Sequence, residues 1–434
     1  MSTDVVLPDG DPSAAWASSD ADPVAAQPSS SFHPPGSGTM GRLGAVPTAS
    51  KPAPFRDWRQ WVGTEARPYG NGHQVVGVVI LSSAWVLWIG SAKIVPGKNL
   101  CKAVKSVDPS LSSVERQIMT EPLLPVFTVT LNPGLDRTLV VPRLQENVVL
   151  RAVESRLDWG GKGFNVSRAL QALGVPSTAL GFVGGATGQL LERGLSGLGI
   201  ATDFVHIQGE TRTNTVIAEA HSGRYIKVNE AGPTVTPAEL AGLRARLMDL
   251  ATPGSYWVLA GSLPPGVPST CYGELIAVLR ERGARPMLDT SGEALRLGCA
   301  AGPFLVKPNQ EEAAELLGRP LRTQADRLDT VAFFLEQGVE LVALSLGAEG
   351  LVLGSRSEVV QAVPPAVTVQ TVVGVGDALL AGILWALVRG ATLADVARWG
   401  VAAGTAAAQE PGVGVGSRAS VEALYGQVRV FTLR

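Results

Sequence analysis

The chain predicts an α/β fold: a doubly wound, mostly parallel sheet flanked by helices on both faces, with a small β-sheet lid. Three observations predict it. From residue 126 onward, short uncharged apolar runs alternate with amphipathic stretches of helical length, the rhythm of strands feeding helices. The runs are continuously apolar, as expected of parallel strands covered on both faces. Two stretches, Thr138 to Leu157 and Thr211 to Val228, break the rhythm as strand-rich meanders, the second turning at His221-Ser222-Gly223, and would form a separate small sheet over the main domain.

Taken in order, the first fifty or so residues are rich in Ser, Pro, Ala and Asp without apolar periodicity, a composition that does not fold alone. An uncharged run from Val75 to Gly90 follows. It falls short of the about 20 residues a spanning helix needs and contains glycine, so a membrane anchor is the lesser reading. Met119-Thr120-Glu121-Pro122 directly precedes the first convincing strand, Val126 to Leu131. We therefore expect Met119 to act as a start, residues 1–122 to form a dispensable leader, and residues 123–434 to form the folded domain. Further strands are expected at Tyr256–Ala260, Arg285–Asp289, Phe304–Val306 and Leu341–Ser345. Helices are expected at Pro237–Ala251, Thr270–Arg282, Gln310–Leu317 and Asp326–Gln337.

Composition narrows the function. A hydrophobic content of 45% supports a large core, and a net charge of −2 offers no basic excess to meet a nucleic-acid backbone. Cys101, Cys271 and Cys299 are scattered, with no metal-ligand spacing, and the four histidines do not cluster. That pattern reads as a reduced, cytoplasmic protein without a structural metal.

Chemistry concentrates in short turns. Gly374-Val375-Gly376-Asp377 lies between a β-branched run, Val367 to Val373, and an apolar helix, Ala378 to Val388. Glycines and a helix N-terminus make an anion site. A carboxylate there suits a general base that takes a proton from an attacking hydroxyl; the plainer alternative is a helix cap. Asp158 to Val166 is a second glycine-rich turn, lacking the GxxxxGK[ST] spacing, that offers amides, Lys162 and Asn165 to a polyhydroxylated or phosphorylated ligand. Asp136 stands at the carboxyl edge of the first strand, where open α/β sheets bind ligands. Arg212 opens the second meander and suits bidentate phosphate binding. Asn309 and Glu312 are three apart, which fits both a capping box and water-mediated Mg2+ near phosphates. Ser345 to Gly350 is a further strand-end turn.

In order and together, LNPGLD, GGKGFNVSRAL, GFVGGATG, ETRTN, AGSLPPGVP, LDTSGEAL, LVKPNQEE, LSLGAEG, GVGD and GVAAGTAAA resemble the PfkB (ribokinase-like) carbohydrate kinases, from about Phe127 to Ser417. Val375 stands where the family signature usually carries alanine. Within the family the chain is most similar to phosphosugar kinases, namely 1-phosphofructokinase, tagatose-6-phosphate kinase and the minor 6-phosphofructokinase. The resemblance implies a ribokinase-like fold, ATP and Mg2+ as cofactors, and phosphorylation of a phosphosugar, fructose 1-phosphate before its 6-phosphate relatives. A non-catalytic sugar-phosphate sensor is the reading from another class.

By position, the resemblance implies that Asp377 is the base and that the Gly374, Val375 and Gly376 amides are the anion hole. Asp136, Gly161, Lys162, Asn165, Arg212 and Ser262 would hold the phosphosugar. Lys307, Asn309, Ser345, Gly347, Gly350, Gly404 and Thr405 would bind ATP, with Asn309 and Glu312 serving Mg2+ through water. The lid would also join two copies into a homodimer.

Overall fold

The computed structural model describes residues 124–434 and, upstream, two strands, β1 (Val75–Leu81) and β2 (Ala84–Gly90). Contacts divide the chain into two units, Met1–Lys102 and Ala103–Arg434. In the first, β1 and β2 pair antiparallel, so the uncharged run forms a hairpin and not a helix. The rest of the leader, the Met119 start and Cys101 lie outside the described residues. Among the described residues no helix is long and apolar enough to cross a membrane.

The second unit carries β3 (Val126–Thr130), β4 (Gly134–Val141), β5 (Glu154–Gly160), α1 (Lys162–Ala172), β6 (Thr178–Val183), α2 (Gly185–Gly197) and β7 (Ala201–His206). Next come β8 (Arg212–Glu219), β9 (Tyr225–Val228), α3 (Pro237–Leu250), β10 (Tyr256–Ala260), α4 (Cys271–Glu281), β11 (Arg285–Asp289), α5 (Gly292–Ala300) and β12 (Leu305–Val306). Then follow α6 (Gln310–Leu317), α7 (Gln324–Glu336), β13 (Leu341–Ser345), β14 (Leu351–Gly354), β15 (Val359–Val363), α8 (Val375–Leu387), α9 (Leu393–Ala408), α10 (Arg418–Tyr425) and β16 (Arg429–Thr432).

The ten-stranded main sheet runs β16-β15-β14-β13-β12-β11-β10-β3-β6-β7. Strands β7, β6, β3, β10, β11, β12 and β13 are parallel, and β14, β15 and β16 add antiparallel at one edge. Successive residues of each central strand enter opposite cores. Tyr256 and Val258 face α1, α8, α9 and α10, whereas Trp257 and Leu259 face α3 to α7. Burial on both faces explains why these strands read as unbroken apolar runs. A smaller core under α2 joins Phe164, Leu191 and Leu195 to Ala179 and Phe204.

The second sheet, β5-β4-β8-β9, is four-stranded. Its first strand begins earlier than the sequence suggests. β3 ends at Thr130, the chain bends through Asn132-Pro133, and β4 already starts at Gly134, so Asp136 belongs to the second sheet and not to the rim of the first. Residues 142–153 of the first meander lie outside strands. The run Val367 to Val373 is also not a strand, despite its β-branched composition. β15 ends at Val363, the Pro364-Pro365 pair removes two ladder donors, and Val369, Val372 and Val373 are left exposed.

Candidate active site

The site is built from chain turns at the ends of parallel strands, with α8 at its centre. Gly374 caps α8 at φ 76°, in the left-handed region that favours glycine. Asp377 therefore lies inside the first turn and is not the cap. The first amides of a helix have no intrahelical acceptor, so those of Val375 and Gly376 are open to an anion. Gly376 also leaves room for a cation: a Cβ there would sit 3.3 Å from the Lys307 Nζ.

Asp377 is buried, and its Oδ2 accepts a hydrogen bond of 2.8 Å from the Asn165 amide on α1. Burial chiefly, with the neighbouring Asp289 charge, pushes its carboxyl up to about 7, against the pull of Asn165, Lys307 and Lys162. A carboxyl poised near neutrality is suited to accept a proton in turnover.

Asp289, like Asn132 and Asn214 on the second-sheet side, is a site residue that sequence reasoning did not single out. It ends β11 fully buried, with its carboxylate between two ammonium groups: Lys162 Nζ at 3.0 Å and Lys307 Nζ at 3.1 Å. Burial raises its pKa, but Lys307 and Lys162 more than offset this and hold it below the usual carboxylate range. Burial likewise pushes Lys162 down, and Asp289 and Glu312 outweigh it and hold the ammonium well above its ordinary value. The only signal available in the sequence was a carboxylate closing an apolar strand.

Lys162 also approaches Glu312 Oε1 at 3.7 Å, which places it between the first glycine-rich turn and α6. Asn309 and Glu312 form a reciprocal capping box: Glu312 N donates to Asn309 Oδ1 at 2.7 Å, and Asn309 N donates to Glu312 Oε2 at 2.8 Å. Among the described residues no group of three or more His, Cys, Asp or Glu converges as a metal cage. One Glu312 oxygen lies outside the cap, a donor set that fits Mg2+ held mainly by phosphates and met through water. The turn at Ser345 is tied to the same loop, with Ser345 N donating to the Pro308 carbonyl at 3.0 Å. Gly347 and Gly350 both hold positive φ there.

Gly404 and Thr405 serve packing in this state. A Cβ at Gly404 would come within 3.3 Å of the Val375 carbonyl, and the Thr405 hydroxyl donates to the Val401 carbonyl at 2.7 Å. Gly404 therefore stands directly behind the turn that opens α8, whereas the Thr405 hydroxyl is satisfied within α9.

Toward the second sheet the groups turn polar. Asp136 Oδ1 accepts from Asn214 Nδ2 at 2.8 Å, and burial raises the Asp136 pKa against that hydrogen bond. Arg212 donates to the carbonyls of Glu230 and Asn132, both at 2.9 Å. Asn132 Nδ2 donates to the Ala231 carbonyl at 3.0 Å and approaches Ser262 Oγ at 3.5 Å. Gly161 caps α1 at φ 141°, where a Cβ would meet Thr130 Cγ2 at 2.9 Å. Buried oxygens of Thr130, Asn132, Asn165 and Asn214, together with Arg212 Nε, have no hydrogen-bond partner among the described residues. Such groups are costly unless a ligand or water meets them, and this cluster matches a polyhydroxylated molecule. A cavity of about 430 Å³ adjoins, lined by Glu210, Arg212, Glu230 and Gly232 among others; it shares only Arg212 with the chemistry.

Comparison with known proteins places the chain in a family. The pfkB family carbohydrate kinase model matches residues 130–419. The 1-phosphofructokinase of Rhodobacter capsulatus is 38% identical over 311 residues, 71% of this chain and 98% of its own. The ATP-dependent 6-phosphofructokinase isozyme 2 of Escherichia coli is 32% identical over 302 residues, 69% of this chain and 97% of its own. The crystal structure of Escherichia coli phosphofructokinase-2 with fructose-6-phosphate superposes with a TM-score of 0.66 at 31% identity, covering 70% of this chain and 99% of that one. The chain belongs to the pfkB family of carbohydrate kinases, phosphotransferases that act on a hydroxyl group.

Proposed function

We propose that the protein transfers the γ-phosphoryl group of ATP to fructose 1-phosphate, giving fructose 1,6-bisphosphate and ADP. The observation that carries this is the pairing of a buried, near-neutral carboxyl, Asp377, with the open amides of the helix that bears it. Asp377 takes the proton of the acceptor hydroxyl, whose oxygen attacks the γ-phosphorus as the bond to the β-phosphate breaks. The Val375 and Gly376 amides and the Lys307 ammonium stabilise the charge on the transferring group. Lys162, fixed by Asp289, bridges acceptor and donor sides. Mg2+, carried on the nucleotide and met through water by Glu312, would neutralise phosphate charge. Ser345, Gly347 and Gly350 line the nucleotide side.

Asp136, Asn214, Asn132, Asn165 and Ser262 hold the sugar hydroxyls, and Arg212 the phosphate already present. The second sheet acts as a lid. It leaves Tyr225, Ile226 and Val228 exposed, which suits pairing with a second copy. The choice of fructose 1-phosphate rests on relatives named 1-phosphofructokinase at 32–38% identity.

Steady-state kcat/KM of the purified protein with ATP and Mg2+ tests the reading, using fructose 1-phosphate, fructose 6-phosphate and tagatose 6-phosphate as acceptors. Fructose 1-phosphate is expected to lead by at least about tenfold, a gap of about 1.4 kcal/mol in transition-state binding. Preference for either 6-phosphate would move the substrate assignment. Tight sugar-phosphate binding without ADP release would favour the sensor.

A further inference from the structure

We infer that Arg156, on the second sheet, is a positioning residue that couples the seating of that sheet to the anion hole. The inference rests on the phosphosugar-kinase reading above and deepens it. Three contacts in series carry it. Arg156 lies on β5 and its Nε is fixed by Asp158 Oδ2 at 2.9 Å. Asp158 is in register with Asp136 on β4, so the pair sits on the row that carries the carboxylate proposed above to hold the sugar.

The outer end of the Arg156 guanidinium lies against Gly412, in the segment that follows α9. Gly412 holds φ +67°, and a Cβ there would run into the guanidinium. Its neighbour Val413 is buried, and Val413 Cγ1 stands 3.0 Å from the place a Cβ on Gly374 would take. Gly374 is the cap of α8. Thus a charged side chain on the second sheet lies against a segment that, together with Gly404 of α9, backs the turn opening α8.

An ordinary surface ion pair would satisfy Arg156 through Asp158 alone and would contribute little, about 0–1 kcal/mol. It would place no demand on residue 412. Here the guanidinium also occupies the space beside Gly412, whose φ of +67° already favours glycine, so the sheet and that segment are in direct contact. Displacing Arg156 frees residues 412–413, loosens Gly374 and admits water to the γ-phosphate, since closure both aligns the groups and excludes water. Misplacement on the order of 1 Å can cost up to about a hundredfold in rate.

The test compares the full-length wild type with Arg156→Ala, Arg156→Lys and Gly412→Ala. The readouts are kcat, both KM values, the ratio of ADP formed to sugar bisphosphate formed, and Tm. Arg156→Ala is expected to lower kcat about tenfold and to raise the ratio above that of the wild type, with Tm little changed. Arg156→Lys should restore part of the coupling, and Gly412→Ala should reproduce the alanine defect by pushing the guanidinium away. Wild-type kcat and ratio in Arg156→Ala would overturn the inference while leaving the kinase reading intact. So would a rate loss that follows Tm with an unchanged ratio. A wild type that phosphorylates none of the sugar phosphates would overturn the proposed function itself, and the coupling with it.

Discussion

Asp377→Asn should stabilise the fold while it removes turnover. The carboxyl rises from 3.8 to about 7 on folding, mainly because burial disfavours the charge. A raised carboxyl pKa means that the folded state resists ionisation. The resulting penalty is absent below the unfolded value, grows as pH rises toward 7, and is constant above it. At 1.36 kcal/mol per unit, the shift corresponds to a ceiling of about 4 kcal/mol at pH 8. The amide is nearly isosteric and can still accept the Asn165 hydrogen bond, so the variant removes the charge with little other change. Thermal unfolding of both proteins at pH 4.5, 6 and 8 measures the effect. The Tm difference should be small at the lowest pH and should grow in favour of the variant, at roughly 2 °C or more per kcal/mol. A pH-independent difference, or a variant less stable at pH 8, would refute the assignment of a strained, buried carboxylate at this position.

Three further outcomes follow from the same geometry. Asn165→Ala removes the hydrogen bond that holds Asp377 down, so the acid limb of kcat/KM should move to higher pH; an unmoved limb would detach Asn165 from the base. Asp289→Asn removes the like charge beside Asp377 and should move that limb to lower pH. It also leaves the buried Lys307 without its carboxylate partner, which should cost about 3 kcal/mol in denaturant unfolding; a neutral effect would count against the pair. Ile226→Lys on the exposed strand β9 should shift light scattering from dimer to monomer, and an unchanged mass would place any self-association elsewhere.

The sequence made the parallel sheet and the glycine turns legible because both leave local marks: apolar runs buried on two faces, and glycine where φ must be positive or atoms come close. Asp377 stood out in the sequence as a carboxylate beside two glycines at a helix start, a local oddity that the proposed chemistry would resolve. Asp289 was not. Its meaning depends on Lys162, 127 positions away, and on Lys307 one strand over, a convergence no local pattern encodes. The β-branched run Val367 to Val373 shows the opposite case: its composition favours β structure, but the chain there has no ladder to join. The early start of β4 was hidden by Asn132-Pro133, which reads as the end of an element and is instead a bend between two sheets. Arg156 looks like any surface arginine until Gly412 is seen beneath it.

The central claim is that Asp377 is the base of a phosphosugar kinase. It is tested most directly by single-turnover conversion of fructose 1-phosphate with ATP and Mg2+ in the wild type and Asp377→Asn, with sugar-phosphate and ATP affinities measured alongside. The account predicts fructose 1,6-bisphosphate from the wild type and a loss of about 10²–10⁴-fold in the variant, with both affinities largely kept. Turnover in the variant within about tenfold of the wild type would contradict it.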